Sequence, residues 1–371
     1  MHIRQIDPTA KADVARFIRF PFDLYRDCPQ WVPPMWSEMR AVFRPDHPYY
    51  EHSQAAFFLV EEGFRTLGRI AVLDHRRYND YHRARTAFFY YFDAIEDTGV
   101  SRALFAAAAD WARGRGLAEM VGPKGMLRAD GLGLLVEGFA HRPAMGIPYN
   151  YAYYDALLRD AGLEKQIDYV SGHLCGDYEL PERYFEIAER IKARRGFTIK
   201  RFGSKRELRA WVTAIQRVNN EAFTDVWGYY PMSAAETQAI ADRLLSVVDY
   251  RLIKLVLKGE ELAGFLLAFP DLSTGIRRAR GRLWPLGWWH ILREFRRTEW
   301  LSINGLGLLP QYQGLGANAI LYTELARSVR EFHFRHADLA QIAEDNLKSL
   351  GEANALGVEW YKRHRIYRRA L

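Results

Sequence analysis

The stretch "GLGLLPQYQGLGANAIL", residues 305–321, decides the fold of this chain. It runs from an apolar strand through Pro310 into a turn with two glycines, and then directly into a predicted helix over about 315–332. Gly314 and Gly316 allow backbone N–H groups to approach a ligand closely, and the first N–H groups of a helix attract anions because they lack partners. Neither a Gly-Lys-Ser/Thr sequence nor the third glycine of a dinucleotide fingerprint is present. The residues alone leave two interpretations open, a phosphate-binding loop and an ordinary tight turn.

The composition indicates a globular protein of two ordinary domains. The chain has 371 residues, of which 49% are hydrophobic and 26% charged, and its net charge of +7 favours anionic partners. Its two cysteines, Cys28 and Cys175, provide neither a disulfide framework nor a cysteine-based zinc site. No secretory signal or apolar run of roughly 18 to 20 residues is present, so we expect a cytoplasmic protein that does not cross a membrane. HExxH and GxSxG patterns are also missing, so we expect neither a metal centre nor a Ser-His-Asp triad.

The same order of strands and helices occurs twice along the chain. It predicts two mixed α/β domains, each a twisted mixed sheet flanked by helices, over residues 1–180 and 181–371. In the second domain, a basic, tryptophan-rich insertion at 275–299 separates a predicted hairpin from the strand that precedes the glycine turn.

The glycine turn resembles motif A of the GNAT superfamily of N-acyltransferases through Pro310, Tyr312, Gln313, Gly314 and Gly316. The final small residue of that motif is replaced by Asn318. "EDNLKSLGEANALG", residues 344–357, is similar to motif B, and the element order is also that of a GNAT domain. The resemblance implies that the second domain binds the acyl donor, either acyl-CoA or the phosphopantetheine of an acyl carrier protein. It assigns this role to Leu308, Leu309, Gln313, Gly314, Leu315, Gly316, Ala317, Asn318 and Asn346.

The first half differs from the second where motif A would stand. It has "FDAIEDTGVSRALF", residues 92–105, which is acidic and lacks the glycine pair. Acidic side chains repel a pyrophosphate, so we interpret the first domain as a degenerate copy without the phosphate loop. In the second domain, Gly305 and Gly307 suit a strand bulge that frees a backbone N–H to polarise a thioester carbonyl.

The insertion combines arginines with tryptophans. Residues 275–297 carry seven arginines, and an apolar stripe at helical spacing begins at Trp288. This pattern favours a helix lying on an anionic membrane surface, with a surface helix packed on its own domain as an equal alternative and nucleic-acid binding as a weaker third. The membrane contacts are then Trp284, Trp288, Trp289, Arg293 and Arg296.

The insertion, together with "GPKG" (122–125), "GLLVEGF" (133–139) and "PYNYAYY" (148–154), resembles a tandem-GNAT bacterial family that includes ceramide synthases. The resemblance implies acyl transfer from a fatty acyl thioester to the amine of a sphingoid-type base, without a metal, by an enzyme on the inner face of the cytoplasmic membrane. Two alternatives stay open, an N-acetyltransferase of a small soluble amine and a non-catalytic membrane-binding module.

Direct transfer to an amine requires a base for the ammonium proton and benefits from an acid at the leaving thiolate. We favour Glu344 as the base, against the alternative of a helix-capping charge. Tyr361 is a candidate acid or a packing residue, and His290 a second candidate base or a solvated interfacial residue. Candidate acceptor-binding residues are Asn219, Asn220, Glu221 and Trp227. They could bind the amine and hydroxyls of the acceptor, or simply cap the helix and turn.

Overall fold

The structure, a computed structural model, describes residues 1–175 and 179–371. Contacts divide the chain into two compact units. Unit 1 consists of Met1–Val170, Leu272–Glu294 and Tyr361–Leu371, and unit 2 of Ser171–Asp271 and Phe295–Trp360. This division differs from the predicted split at 180/181, because most of the insertion and the end of the chain group with unit 1.

The described elements alternate along the chain in the order that the sequence predicts. The strands are β1 (His2–Gln5), β2 (Gln54–Glu62), β3 (Arg65–Asp74), β4 (Thr86–Ala94), β5 (Glu119–Gly122), β6 (Leu134–Glu137), β7 (Glu164–Cys175), β8 (Phe197–Lys200), β9 (Lys254–Lys258), β10 (Glu261–Pro270), β11 (Trp300–Leu308), β12 (His336–Ala343) and β13 (Glu359–Ala370). The helices are α1 (Lys11–Leu24), α2 (Trp36–Ala41), α3 (Arg76–His82), α4 (Thr98–Arg113), α5 (Tyr154–Asp160), α6 (Glu182–Arg195), α7 (Lys205–Arg209), α8 (Val212–Ala222), α9 (Ala234–Val247), α10 (Ser273–Arg278), α11 (Gly287–Phe295), α12 (Ala317–Glu331) and α13 (Leu347–Ala355), with 3-10 turns at Pro48–Glu51, Tyr250–Leu252 and Pro310–Tyr312.

Both units contain a mixed sheet that includes a parallel pair of strands. In unit 1 the strand order is β1-β2-β3-β4-β5-β13, antiparallel except for the parallel β4–β5 pair. In unit 2, strands β8-β9-β10-β11 are antiparallel and β11 pairs with β12 in parallel. Helix α4 packs on β2 and β3 of the first sheet, while α12 packs on β9 and β10 of the second. The prediction of two GNAT-like mixed α/β domains is confirmed.

Strands β7 and β13 each contribute to both units. In unit 1, Asp168 of β7 accepts two hydrogen bonds from Arg365 of β13, at 2.8 and 3.0 Å. In unit 2, Gly172 of β7 leaves room for Val358 and for the ring of Trp360. Each sheet is therefore completed by residues that the other half of the chain supplies.

The insertion is anchored on unit 1 by a close backbone approach. The carbonyl of Gly281 accepts a 2.8 Å hydrogen bond from the N–H of Trp36, and the guanidinium of Arg282 lies 4.5 Å from the Trp36 ring centroid. Gly281 has a φ of +66°, and a Cβ there would lie 2.3 Å from the carbonyl oxygen of Pro34. A glycine is required for this close approach. These contacts with Pro34 and Trp36 explain why the insertion groups with unit 1.

In unit 2, the sequence predicts capping boxes at Ser204/Glu207 and at Ser233/Glu236, and a single helix over residues 204–218. Ser233 and Glu236 form the expected capping box at the start of α9. Ser204 accepts a hydrogen bond from the Glu207 N–H, but the Glu207 carboxylate binds the N–H of Gly203 instead of closing a box. The single helix predicted here is interrupted after Arg209 and continues as α8.

In unit 1, a side chain of the protein itself caps the helix that follows β4. Asp97 caps α4 and accepts hydrogen bonds from the N–H groups of Gly99 and Val100, at 2.7 and 3.2 Å. These amides are among the unpaired donors that an anion would otherwise use at the start of a helix. A carboxylate of the chain thus occupies the place that a phosphate would need.

We expect Asp97→Ala to lower the free energy of unfolding by about 1 kcal/mol, because the first turn of α4 loses its cap. Asp97→Asn keeps a good capping group and should retain most of that stability. Chemical denaturation of the wild type and of the variants measures these free energies of unfolding. The control is Asp110→Ala, which removes only an exposed ion pair with Arg113 and should change stability by less than about 0.5 kcal/mol. Equal effects of the Asp97→Ala and Asp110→Ala substitutions would contradict the capping role.

Candidate active site

The candidate site in unit 2 begins where β11 and β12 diverge. Their parallel register covers only Trp300–Ile303 against His336–Leu339. β11 continues to Leu308 and β12 to Ala343, so the two strands run on beyond their last shared pair. Backbone groups on the β12 side of residues 304–307 therefore have no strand partner in the described part of the chain, and a ligand could add there as a strand.

A bulge in β11 accompanies this divergence. Leu267 of β10 faces Gly305, whereas the next residue, Ala268, faces Ile303, so Asn304 is the extra residue. The Asn304 side chain accepts a 2.7 Å hydrogen bond from the Ser302 hydroxyl, which fixes it locally. We expected Gly305 and Gly307 to form the bulge, and the structure places it one residue before that pair.

Gly307 has a packing role. A Cβ at this position would lie 3.0 Å from the ring of Phe265 and 3.2 Å from the ring of Phe223. Phe223 directly follows α8, so the end of this helix lies against the open part of β11. The absence of a side chain at Gly307 lets the acceptor-side helix approach the strand.

The glycine turn leads into α12 as the sequence predicts. Gly314 and Gly316 have φ angles of +70° and +86°, and Gly316 is the N-cap residue of α12. A Cβ at Gly316 would lie 2.0 Å from Cδ1 of Ile191 on α6. Because Gly316 has no side chain to cap the helix, the N–H groups of Ala317 and Asn318 are the ones that could receive an outside anion, whereas the Ala319 N–H bonds to the Gly316 carbonyl and the Asn318 side chain. This is the opposite of the arrangement at Asp97 in unit 1.

Side chains of the turn are held in place by their neighbours. Gln313 donates to the carbonyl of Leu308 at 3.2 Å and accepts a 2.8 Å hydrogen bond from the ammonium of Lys348 on α13. The hydrogen bond from the Tyr312 hydroxyl to Glu261, 2.7 Å long, raises the pKa of the Tyr312 phenol. The sequence did not single out Lys348, although it lies within the stretch similar to motif B. A cation is thereby brought beside the glycine turn.

Other residues assigned to the donor lie on the same elements. Asn346 caps α13 and accepts a 3.1 Å hydrogen bond from the Ser349 N–H. Leu309 is fully buried and its N–H donates to the Ala263 carbonyl, while Leu308 pairs with Gly264 of β10. Asn318 accepts a 3.0 Å hydrogen bond from the N–H of Ala319, within the first turn of α12. Leu315 and Ala317 pack in the hydrophobic core of unit 2.

The three candidate acid–base residues do not fall in one unit. Glu344 is half-buried and follows β12 in unit 2, two residues before the cap of α13. Tyr361 belongs to unit 1, where the ring of His141 contacts it edge-on with centroids 5.0 Å apart. His290 also belongs to unit 1, on α11, with its ring 5.2 Å from that of Trp289. Glu344 is thus the candidate that shares a unit with the glycine turn.

The predicted acceptor residues lie at the end of α8 and in the turn after it. Asn219 and Asn220 are half-buried, Glu221 is exposed, and Trp227 is half-buried. The carbonyl of Asn220 accepts a 2.7 Å hydrogen bond from the Tyr229 hydroxyl. The side-chain oxygen of Asn219 is buried without a hydrogen-bond partner in the part of the chain that the structure describes.

The insertion exposes a group of large apolar side chains. We call Leu283, Trp284, Leu286, Trp288, Trp289 and Leu292 the tryptophan patch. Trp284 is 78% and Leu286 65% exposed, and the other four are also exposed. Exposed Arg282 and Arg293 belong to the same segment, and Arg296 follows it on the surface. Ile291 and Phe295, which we grouped with Trp288 in one stripe, are half-buried.

Residues 1–175 and 179–371 contain neither a metal-binding cluster nor a membrane-spanning helix. No group of three or more His, Cys, Asp or Glu side chains is arranged there to hold a metal ion. None of the helices in these ranges has the length and apolar character needed to cross a bilayer.

Comparison with known proteins extends the resemblance to nearly the whole chain. No protein-family model matches it. The chain is 27% identical to the bacterial ceramide synthase of Caulobacter vibrioides, over 97% of this chain and 95% of that protein. It is 24% identical to protein YghO of Escherichia coli, over 97% of this chain and 94% of that protein.

Solved structures show the same fold. A tandem GNAT protein from the clavulanic acid biosynthesis pathway matches with a TM-score of 0.58 and 14% identity, covering 100% of this chain and 98% of that one. A GCN5-related N-acetyltransferase from Sphaerobacter thermophilus matches with a TM-score of 0.50 and 14% identity, over 100% and 95% of the two chains. The chain therefore has the fold of these GNAT proteins and is similar over nearly its whole length to the bacterial ceramide synthase.

Proposed function

We propose that this protein transfers a fatty acyl group from an acyl thioester to the amine of a long-chain, sphingoid-type base. The observation that carries the choice of a lipid acceptor is the tryptophan patch, since soluble proteins rarely expose so many large apolar side chains together. The 27% identical relative named as a ceramide synthase supports the same choice.

In this proposal, the donor is acyl-CoA, with acyl carrier protein as the other carrier of the same phosphopantetheine arm. The arm adds along the open part of β11, and its phosphates meet the glycine turn and the first N–H groups of α12. Lys348, held by Gln313, adds a positive charge there. The thioester supplies an activated carbonyl carbon, and no metal takes part.

Chemically, the amine nitrogen forms a bond to the acyl carbon while the C–S bond breaks. The ammonium must first lose a proton, and Glu344 is the proposed base because it shares unit 2 with the turn. The attacking nitrogen loses a second proton as the amide forms, and the leaving thiolate takes one up. Tyr361 and His290 stay candidates from the sequence alone.

The proposed location is the inner face of the cytoplasmic membrane, without a spanning helix. Trp284 and Leu286 would enter the interface while Arg282, Arg293 and Arg296 bind anionic headgroups. Phe64, which is fully exposed at the β2–β3 turn, has Glu61 and Glu62 nearby in sequence and should not contact such a surface.

Product analysis tests the function. The protein is incubated with acetyl-CoA or palmitoyl-CoA, each against sphinganine and against spermidine, and products are identified by mass spectrometry. We expect N-palmitoyl sphinganine, and we expect Glu344→Gln to lower kcat by about 100-fold or more, as removal of a general base does.

Asp345→Asn, at the exposed neighbouring carboxylate, is the control for Glu344 and should leave kcat within about twofold. Acetylated spermidine as the product would instead favour the soluble-amine enzyme. No product from any pair, with acyl carrier protein thioesters also inactive, would favour a non-catalytic membrane-binding module.

The glycine turn predicts a donor-specific defect. Gly316→Ala must accommodate a φ of +86° and the contact with Ile191, so we expect the KM for acyl-CoA to rise about tenfold or more. Steady-state kinetics with varied donor measures this. Gly351→Ala is the control, because a Cβ there meets nothing within 4 Å in the middle of α13. An unchanged donor KM in Gly316→Ala would place the phosphates elsewhere.

Membrane contact is tested by vesicle co-sedimentation. The wild type should bind vesicles of phosphatidylglycerol and phosphatidylcholine, and the Trp284→Ser/Trp288→Ser double variant should bind at least tenfold more weakly because it loses apolar contact area. Arg293→Gln should weaken binding about fivefold, an effect that high salt removes. Phe64→Ser is the matched control for loss of an exposed aromatic ring. Equal losses in the Phe64 and tryptophan variants would show that the patch has no special role.

A further inference from the structure

Among the residues on the acceptor side of unit 2, Asn219 has an unsatisfied buried atom. Its Oδ1 is buried, and no donor for it exists in the described part of the chain. A buried acceptor without a partner is unfavourable, and such groups are rare in folded proteins unless a ligand or water completes them.

Polar groups close to Asn219 in sequence have partners. Arg217 forms ion pairs with Glu261 at 3.1 Å and with Glu221 at 4.0 Å. The carbonyl of Asn220 accepts from Tyr229. The orphaned oxygen of Asn219 is therefore a local exception within a well-bonded region.

Asn219 lies on α8, the helix that packs against the open part of β11. Residues four apart on a helix share a face, and Phe223 stands four residues after Asn219. The Phe223 ring reaches to 3.2 Å from the Cβ position of Gly307 on β11. α8 packs against both β10 and β11. Asn219 thus lies on the side of α8 that faces the strand where the thioester is proposed to add.

We propose that the Asn219 side-chain oxygen binds an N–H or O–H donor of the acceptor, and so positions the amine for attack. This inference rests on the proposed N-acyltransfer and deepens it. A neutral amide oxygen accepts a hydrogen bond from an ammonium, an amine or a hydroxyl, which are the donor groups of a sphingoid-type headgroup. It takes no proton, so Asn219 is a positioning residue, distinct from the base.

The choice of variants separates ligand binding from a structural role. Asn219→Leu has nearly the same shape and removes the orphaned acceptor, so its melting temperature should equal or exceed that of the wild type. Asn219→Asp keeps an acceptor oxygen, so this variant should retain the amine binding that Asn219→Leu loses. Asn150→Leu is the control, because the buried Asn150 amide makes three hydrogen bonds, to Leu135 and Tyr151, and its loss should lower the melting temperature.

The experiment measures KM for sphinganine, KM for palmitoyl-CoA, kcat, and the melting temperature with and without sphinganine. We expect Asn219→Leu to raise the KM for sphinganine at least tenfold and to abolish the sphinganine-induced rise in melting temperature. The KM for palmitoyl-CoA should stay within twofold.

Each outcome decides a different point. An unchanged sphinganine KM, or a lower melting temperature of Asn219→Leu without ligand, overturns the inference while the enzyme stays an acyltransferase. No product in the wild type, together with a sphinganine-induced rise that Asn219→Leu lacks, overturns the proposed reaction and supports an amine site at Asn219. Absence of both product and thermal shift in the wild type overturns both.

Discussion

The short pairing of β11 with β12 is the constraint on which the candidate site depends. Four residue pairs hold the strands together, and after Ile303 each continues without the other. The bulge at Asn304 turns β11 at the same point. Unpaired backbone groups inside a protein are costly, so a strand that leaves them open requires either water or a ligand with strand-like hydrogen bonds. The glycine turn, the start of α12 and the end of α8 all take their positions from this strand.

The two units can be compared at their parallel strand pairs and at the start of the helix that follows. In unit 1, β4 and β5 also share only three parallel pairs, and β4 carries an irregularity near Tyr91, which has a φ of +49°. The two halves differ at the helix start. Asp97 caps α4 with its side chain, whereas Gly316 has no side chain with which to cap α12.

Much of this arrangement could be predicted from sequence because its signals are local. The glycines of the turn, the Asn346 cap and the Ser233–Glu236 box each act within a few residues, and the structure has all of them. The absence of a phosphate loop from the first domain stays a prediction; within the acidic 92–105 segment, the structure shows Asp97 capping α4.

Features that depend on distant residues were not predictable in this way. The bulge at Asn304 is set by the register with β10, and glycine spacing within β11 does not reveal it. Lys348 becomes relevant only through its hydrogen bond to Gln313. Asn219 was a candidate from the sequence, but the unsatisfied state of its side-chain oxygen is visible only in the structure. The grouping of the insertion with unit 1 follows from the approach of Gly281 to Pro34 and Trp36, which are more than two hundred positions away in the chain.

The contribution of β13 to unit 1 has a consequence for protein synthesis. Tyr367 is fully buried in the core of unit 1, and residues 119–122 of β5 pair with the end of β13. Domains made from contiguous sequence fold as they leave the ribosome, the N-terminal one first. Unit 1 cannot do so, because the strand that completes its sheet is translated after the whole of unit 2. Unit 1 therefore reaches its final form only after residues 361–371 have been synthesised, and a cut between the two halves of the gene would remove a strand from its sheet.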